Sequence, residues 1–153
     1  MKTIELTRGK VTVVDDDDFP SLCRYKWAFT SNGYAARGVW KGKTILMHRL
    51  LLDAPKGVEV DHKNRDKLDN RRENIRLCSG AQNKQNRGIQ KNNISGYRGV
   101  HWSSLNDKWR ATIDVNGKRH HLGLFYEERD AALAYNESAK KFYGAFAFIN
   151  KVS

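Results

Sequence analysis

Three residue types able to do hydrolytic chemistry recur at fixed spacing in the middle of this chain. Asp61 and His62 adjoin, Asn74 follows His62 by twelve residues, and Asn83 lies nine further on. A neutral imidazole accepts a proton near pH 7. Carboxylate and amide oxygens are hard ligands that suit a magnesium-like ion, which keeps several waters and also binds substrate phosphate. A base to activate water and a cation to hold developing charge are what phosphodiester hydrolysis requires. Each residue alone is weak evidence, because Asp, His and Asn are common in polar loops. Asp69 to Asn74 also reads as the start of a solvated helix of alternating charge. The signal lies in order, spacing and context.

The context is a strand, a loop, a second strand and a helix. Val58-Glu59-Val60 has strand character and leads into Asp61-His62. The polar loop from Lys63 to Asp69 carries Lys63, Arg65 and Lys67. Ile75 to Cys78 alternates enough for a short strand, and Ser79 is suited to cap a helix over Gly80 to Asn86, with Asn83 on its second turn. This arrangement resembles the HNH, or ββα-metal, nucleases in the variant whose last residue is Asn. The resemblance implies that His62 is the general base and that Asp61 and Asn83 hold a divalent cation, Mg2+ first and Mn2+ as the alternative. It implies that Asn74 braces the loop so that the His62 ring faces the phosphate. Asn64, Asn70 and Asn86 are competing amides for the second metal ligand.

Upstream, residues 2–14 read as a hairpin with Arg8-Gly9 at its turn. Asp15 to Asp18 is expected to be an acidic turn capping a short helix from Phe19 to Tyr25, since neighbouring carboxylates rarely converge on one ion. Lys26 to Phe29 and Gly33 to Arg37 read as strands, and Trp40 to Thr44 as a Gly-centred turn. Ile45 to Leu52 continues as a strand or short helix that must be largely buried. His48 within it is ordinarily a structural histidine, with an active-site role as the alternative. Arg49 is expected to clamp phosphate on charge grounds, with Lys63 beside it in the proposed site.

Character changes at Gly96. Tyr97-Arg98-Gly99-Val100, His121-Leu122-Gly123-Leu124-Phe125, an Ala-rich helix and Gly144 follow one another. Trp109, Ala111, Ile113 and Val115 share one strand face, and Arg110, Thr112 and Asp114 the other. Asn116-Gly117 is a strong hairpin signal. Ala131, Ala134, Tyr135, Ser138, Ala139 and Phe142 form a helical stripe. Three antiparallel strands packed on one helix are expected, leaving a sheet face with Arg110, Arg119 and His121 for a DNA groove. The segment resembles the Apetala/ethylene-response-factor DNA-binding domain, which adds Arg98 and His101 to the DNA-binding set. Thr112, Asp114 and His121 depart from the plant pattern, so the plant target site does not carry over.

Bulk properties agree with a polyanionic partner. The chain has 153 residues and a net charge of +11. The excess is spread, with ten Lys/Arg against six Asp/Glu over 1–57, nine against five over 58–95 and nine against six over 96–153. No single basic tail accounts for it, so several surfaces are candidates for phosphate contact. A mean hydropathy of −0.74 describes a polar chain. There is no apolar run near the ~20 residues that span a bilayer, and Met1 to Leu6 lacks the apolar core of a signal peptide. Cys23 and Cys78 are far apart and form no thiolate zinc pair.

The expectation is an α+β chain: a β-rich part over 1–57, a ββα-metal motif over 58–86, a linker over 87–95 and a DNA-binding domain over 96–153. The corresponding function is a metal-dependent endonuclease of the homing, mobile-element type that cuts or nicks duplex DNA. No membrane and no small-molecule cofactor are expected. The protein would be a cytoplasmic monomer in a phage or bacterial host cell, associated with the nucleoid through DNA and dimeric where both strands are cut. The rival is a DNA-binding transcriptional regulator with a decayed nuclease half. An RNA-binding protein fits the charge but not the motif.

Overall fold

Alternation at Ile4 and Leu6 and the β-branched run Val11 to Val14 form the first hairpin. Strands β1 (Lys2–Glu5) and β2 (Val11–Val14) pair antiparallel, joined by a 3-10 turn over Thr7–Gly9. The computed structural model describes residues 1–38 and 42–152, so the turn expected at Trp40 to Thr44 lies partly outside the described residues. The chain divides into two compact units, Met1–Asn83 and Lys84–Ser153. It is a mixed α+β protein of several small antiparallel sheets and few helices.

In the first unit, helix α1 (Phe19–Leu22) is followed by a three-stranded sheet of β3 (Ala28–Phe29), β4 (Ala35–Gly38) and β5 (Thr44–Leu46). Helix α2 (Met47–Leu51) buries Met47, His48 and Leu51. The run from Ile45 to Leu52 is therefore strand first and helix afterwards. Strands β6 (Glu59–His62) and β7 (Ile75–Cys78) then pair antiparallel ahead of helix α3 (Gly80–Gln85). One core of Ile4, Leu6, Val14, Leu22, Trp27, Met47, Leu51, Val60 and Ile75 joins the hairpin, the helices and the β6–β7 pair. Trp27 is buried with its indole N–H donated to the Leu22 carbonyl at 2.9 Å, so no polar group is orphaned there.

The acidic run does not do what its position suggests. Asp18 sits at the helix N-cap without a capping hydrogen bond. Instead its carboxylate takes the Nε and Nη2 of Arg72, both at 2.8 Å, and Asp15 accepts the Arg72 backbone N–H at 2.7 Å. Bidentate pairing with a guanidinium satisfies both oxygens at once, which one capped N–H does not. The run therefore ties the N-terminal hairpin to the loop that follows His62.

In the second unit, β8 (Val100–Ser103), β9 (Lys108–Val115) and β10 (Lys118–Phe125) form an antiparallel sheet in the order β10-β9-β8. Asn116 and Gly117 both have positive φ, 52° and 77°, as a two-residue hairpin loop demands. Helix α4 (Glu128–Tyr143) packs on one sheet face through Ala131, Ala132, Tyr135, Ala139 and Tyr143, against Val100, Ala111 and Ile113. The helical stripe is rotated from the expected one at its end. Phe142 is exposed and stacks on His120 at 5.8 Å, whereas Tyr143 turns inward and donates its hydroxyl to the Asp114 carbonyl at 2.5 Å. After the helix, Asn150 bonds Asn136 and the backbone of Arg98, strapping the tail to the unit.

Candidate active site

Strand β6 delivers Asp61 and His62, and both are 4% exposed. Side chains alternate along a strand. Glu59 and Asp61 therefore share one face, and Val60 and His62 the other, where Val60 joins the core. Asp61 lies directly opposite Arg76 on β7, and Arg76 donates Nε and Nη2 to Asp61 Oδ2 at 2.8 and 2.7 Å. This largely buried ion pair sets the carboxylate's orientation.

The loop between β6 and β7 is held by amides. Asn74 accepts the Asn64 backbone N–H at 3.0 Å and donates to the Asp69 carbonyl at 2.7 Å. The backbone N–H of Lys63 bonds the Asn74 carbonyl, and its ammonium bonds the Glu73 carbonyl at 2.6 Å. Strand β2 supports the same loop from outside. Thr12 donates to the Leu68 carbonyl at 2.7 Å, and the Asn70 backbone N–H bonds Val13.

Asn70 is fully buried, and sequence reasoning treated it only as a competing metal amide. Its Nδ2 donates to Thr12 Oγ1 at 2.7 Å, and its Oδ1 meets His62 Nε2 at 3.2 Å. An amide oxygen accepts only, so this contact requires the proton on Nε2. In a neutral imidazole the lone pair then resides on Nδ1. Burial holds the His62 pKa below the ordinary histidine value, opposed by the Asn70 bond and by Asp61, Asp66 and Asp69. The ring is therefore neutral near pH 7, in one tautomer. No local pattern in the sequence signals its contact with the buried Asn70 amide.

Removal of that amide gives a measurable effect. Asn70→Ala should lower the cleavage rate about 10–100-fold, the cost usual for partners that orient a site ligand. It should also destabilise the fold by about 1–3 kcal/mol by stranding buried groups on Thr12 and His62. Single-turnover cleavage and thermal unfolding of the purified variant read the two effects.

His48 lies beside the base, its ring 5.1 Å from that of His62 in an edge-to-face arrangement and 4.9 Å from Tyr34. Its Nδ1 is buried with no hydrogen-bond partner among the described residues. Burial, then the nearby His62 and Arg49, push its pKa down to about 3. The folded protein keeps His48 neutral, whereas the unfolded chain takes up that proton below about pH 6.5. Acid therefore favours unfolding: stability from this group is intact above pH 6.5 and falls by up to about 1.4 kcal/mol per unit down to about pH 3. Urea titrations between pH 7 and 4 should show a shallower acid loss for His48→Phe than for the wild type.

Arg49, expected at phosphate, and Arg98, expected at DNA, both make hydrogen bonds within the fold. Arg49 donates Nη1 to the Val58 carbonyl at 2.6 Å and Nη2 to those of Ala54 and Pro55 at 3.0 and 2.9 Å. It fastens the turn before β6. Arg98 donates to the carbonyls of Lys84, Gln85 and Arg87 and lies over the Phe148 ring at 5.7 Å. These bonds tie its guanidinium to the segment from Lys84 to Arg87. The physical reason is shared, because five N–H donors in a fork satisfy several turn carbonyls at once.

The other second-unit residues share the open sheet face. His101 lies opposite Arg110, His121 opposite Thr112, and Arg119 opposite Asp114. His101, Arg110, Thr112, Arg119 and His121 line a concavity of about 400 Å3. Arg110 donates to Ser103 Oγ at 3.1 Å, and its buried Nε has no partner among the described residues. Arg119 pairs bidentately with Asp114 at 2.8 and 2.9 Å, which holds the Asp114 carboxyl below the usual carboxylate range.

Helix α3 brings Asn83 to β6. Ser79 and Gln82 form a reciprocal capping box, with Ser79 N–H to Gln82 Oε1 at 2.8 Å and Gln82 N–H to Ser79 Oγ at 3.2 Å. Asn83 Nδ2 donates to Glu59 Oε2 at 2.5 Å. Oxygen donors from Asp61 and Asn83 fit a hard divalent cation. Cys78, across from Glu59, has its thiol pushed up to about 11 by burial and adjacent carboxylates, which does not suit a thiolate ligand. Among the described residues, no three His, Cys, Asp or Glu side chains converge on one ion, and no helix is long and apolar enough to cross a membrane.

Comparison with known proteins singles out the segment that holds this strand pair and helix. The sequence profile of HNH endonucleases matches residues 53–85. The chain is 32% identical to an uncharacterized HNH endonuclease, L560, of Acanthamoeba polyphaga mimivirus, over 96% of this chain and 79% of that one. It is 36% identical to Protein 3.8 of Escherichia phage T7 over 44% of this chain and 56% of that one. No solved structure matches. The chain belongs to the HNH endonuclease family and is a DNA-hydrolysing enzyme.

Proposed function

We propose that the protein is a metal-dependent endonuclease of the homing, mobile-element type, with its second unit serving to position it on duplex DNA. The observation that carries the catalytic part is the Thr12–Asn70–His62 chain, which supports a His62 proton on Nε2 and a basic lone pair on Nδ1. His62 accepts a proton from the attacking water through that nitrogen. Asn74 keeps the loop closed around it, and Arg76 fixes the orientation of Asp61. Asp61 and Asn83 hold the divalent cation, Mg2+ or Mn2+, which when bound stabilises charge on the phosphate and the leaving 3′ oxygen. The products are a 5′-phosphate and a 3′-hydroxyl. One such site per chain nicks one strand, and a double-strand break takes a second copy.

Support for the DNA-positioning reading comes from the open face of β8–β10. A twisted antiparallel sheet of this size enters a major groove, and His101, Arg110, Arg119 and His121 share its exposed side. The Apetala-like pattern of residues 96–150 supports the same role. The test is nicking of supercoiled DNA by the full chain in Mg2+ or Mn2+ and again with chelator. Relaxation that chelator abolishes supports the reading. Undiminished nicking in excess chelator, or binding without cleavage in either metal, overturns it.

A further inference from the structure

We propose that Glu59 is a positioning residue that turns the amide of Asn83 so that its carbonyl oxygen is presented to the divalent cation. The inference rests on the reading of Asp61 and Asn83 as the cation's ligands. A terminal amide torsion is broad and nearly two-fold, so an unrestrained Asn83 would present its NH2 group as readily as its oxygen. An NH2 group cannot ligate a cation. A carboxylate only accepts hydrogen bonds, so the Asn83 atom 2.5 Å from Glu59 Oε2 is Nδ2. In a planar amide this turns Oδ1 away from Glu59.

Two further features place Glu59 for this task. It stands two residues before Asp61 on the same face of β6, so the residue that orients one ligand and the residue that is the other share a rigid strand. The first turn of α3 also closes on it. A Cβ added at Gly80 would lie 3.0 Å from Glu59 Oε1. The Glu59 carboxylate thus lies against the start of α3 as well as against Asn83.

The test is Mn2+ binding to the full chain without DNA, read from the electron paramagnetic resonance signal of free Mn2+, with the Mg2+ midpoint for nicking as a second readout. Asp61→Ala should abolish specific binding. Glu59→Ala should weaken it about tenfold or more, within the range for orienting partners of metal ligands. Glu59→Gln should stay within about threefold of wild type, because its amide oxygen accepts the same N–H. Thermal unfolding checks each fold, and Glu59→Leu replaces Glu59→Ala if the latter does not fold. Wild-type affinity in Glu59→Ala, with binding lost in Asp61→Ala, overturns the proposal alone. Equal weakening in Glu59→Ala and Glu59→Gln overturns it in favour of a charge effect. Unchanged binding in Asp61→Ala overturns the ligand assignment beneath it.

Discussion

His62→Ala should reduce the cleavage rate about 10^2- to 10^4-fold, the span that general-base catalysis supplies, while DNA affinity stays near wild type. The split follows from where the ring sits. His62 is buried, with Nε2 against the Asn70 amide oxygen, so it is not one of the exposed cations that give non-specific affinity. Single-turnover cleavage separates the chemical step from release, and a gel-shift titration reads binding. A rate within threefold of wild type would remove His62 from the base role. The rate should also fall in acid with a midpoint below the ordinary histidine value, because burial depresses the pKa and the base works when neutral.

The elements that carry the site were legible because their signals are local. Asp61-His62 ends a strand, Ser79 caps the helix after β7 as its type suggests, and Asn116-Gly117 turns a hairpin as its types require. The pairings were not legible, because they join distant residues. Asn70 and Thr12 meet across 58 positions, Arg72 and Asp18 across 54, and Asn83 and Glu59 across 24. Arg49 and Arg98 show the limit most plainly. Their partners are backbone carbonyls, and a carbonyl has no letter in the sequence. Charge suggested a phosphate clamp for Arg49 and a family resemblance suggested DNA contact for Arg98, and both guanidiniums bond carbonyls of nearby loops and turns. Phe142 and Tyr143 were exchanged for a similar reason: both are aromatic, and what decides is a hydroxyl reaching the Asp114 carbonyl.

Gly99→Ala should destabilise the protein by about 3–5 kcal/mol, near the upper end for single substitutions. Two costs add. Gly99 has φ of 77°, where an L side chain is strained by about 1–3 kcal/mol. A Cβ there would also stand 2.1 and 2.4 Å from ring carbons of Tyr135 and 2.7 Å from the Thr112 carbonyl oxygen. Neither neighbour yields readily. Tyr135 is 2% exposed in the helix–sheet core, and the Gly99 carbonyl accepts the Thr112 backbone N–H at 2.8 Å. Overpacking of this kind costs about 1–3 kcal/mol more. Urea unfolding followed by circular dichroism measures the loss. Combining Gly99→Ala with Tyr135→Leu, set against Tyr135→Leu alone, removes the ring clash and leaves the backbone strain and the Thr112 contact, so the double variant separates the ring clash from the rest. If Gly99→Ala unfolds within about 1 kcal/mol of wild type, helix and sheet do not meet at Gly99 as described.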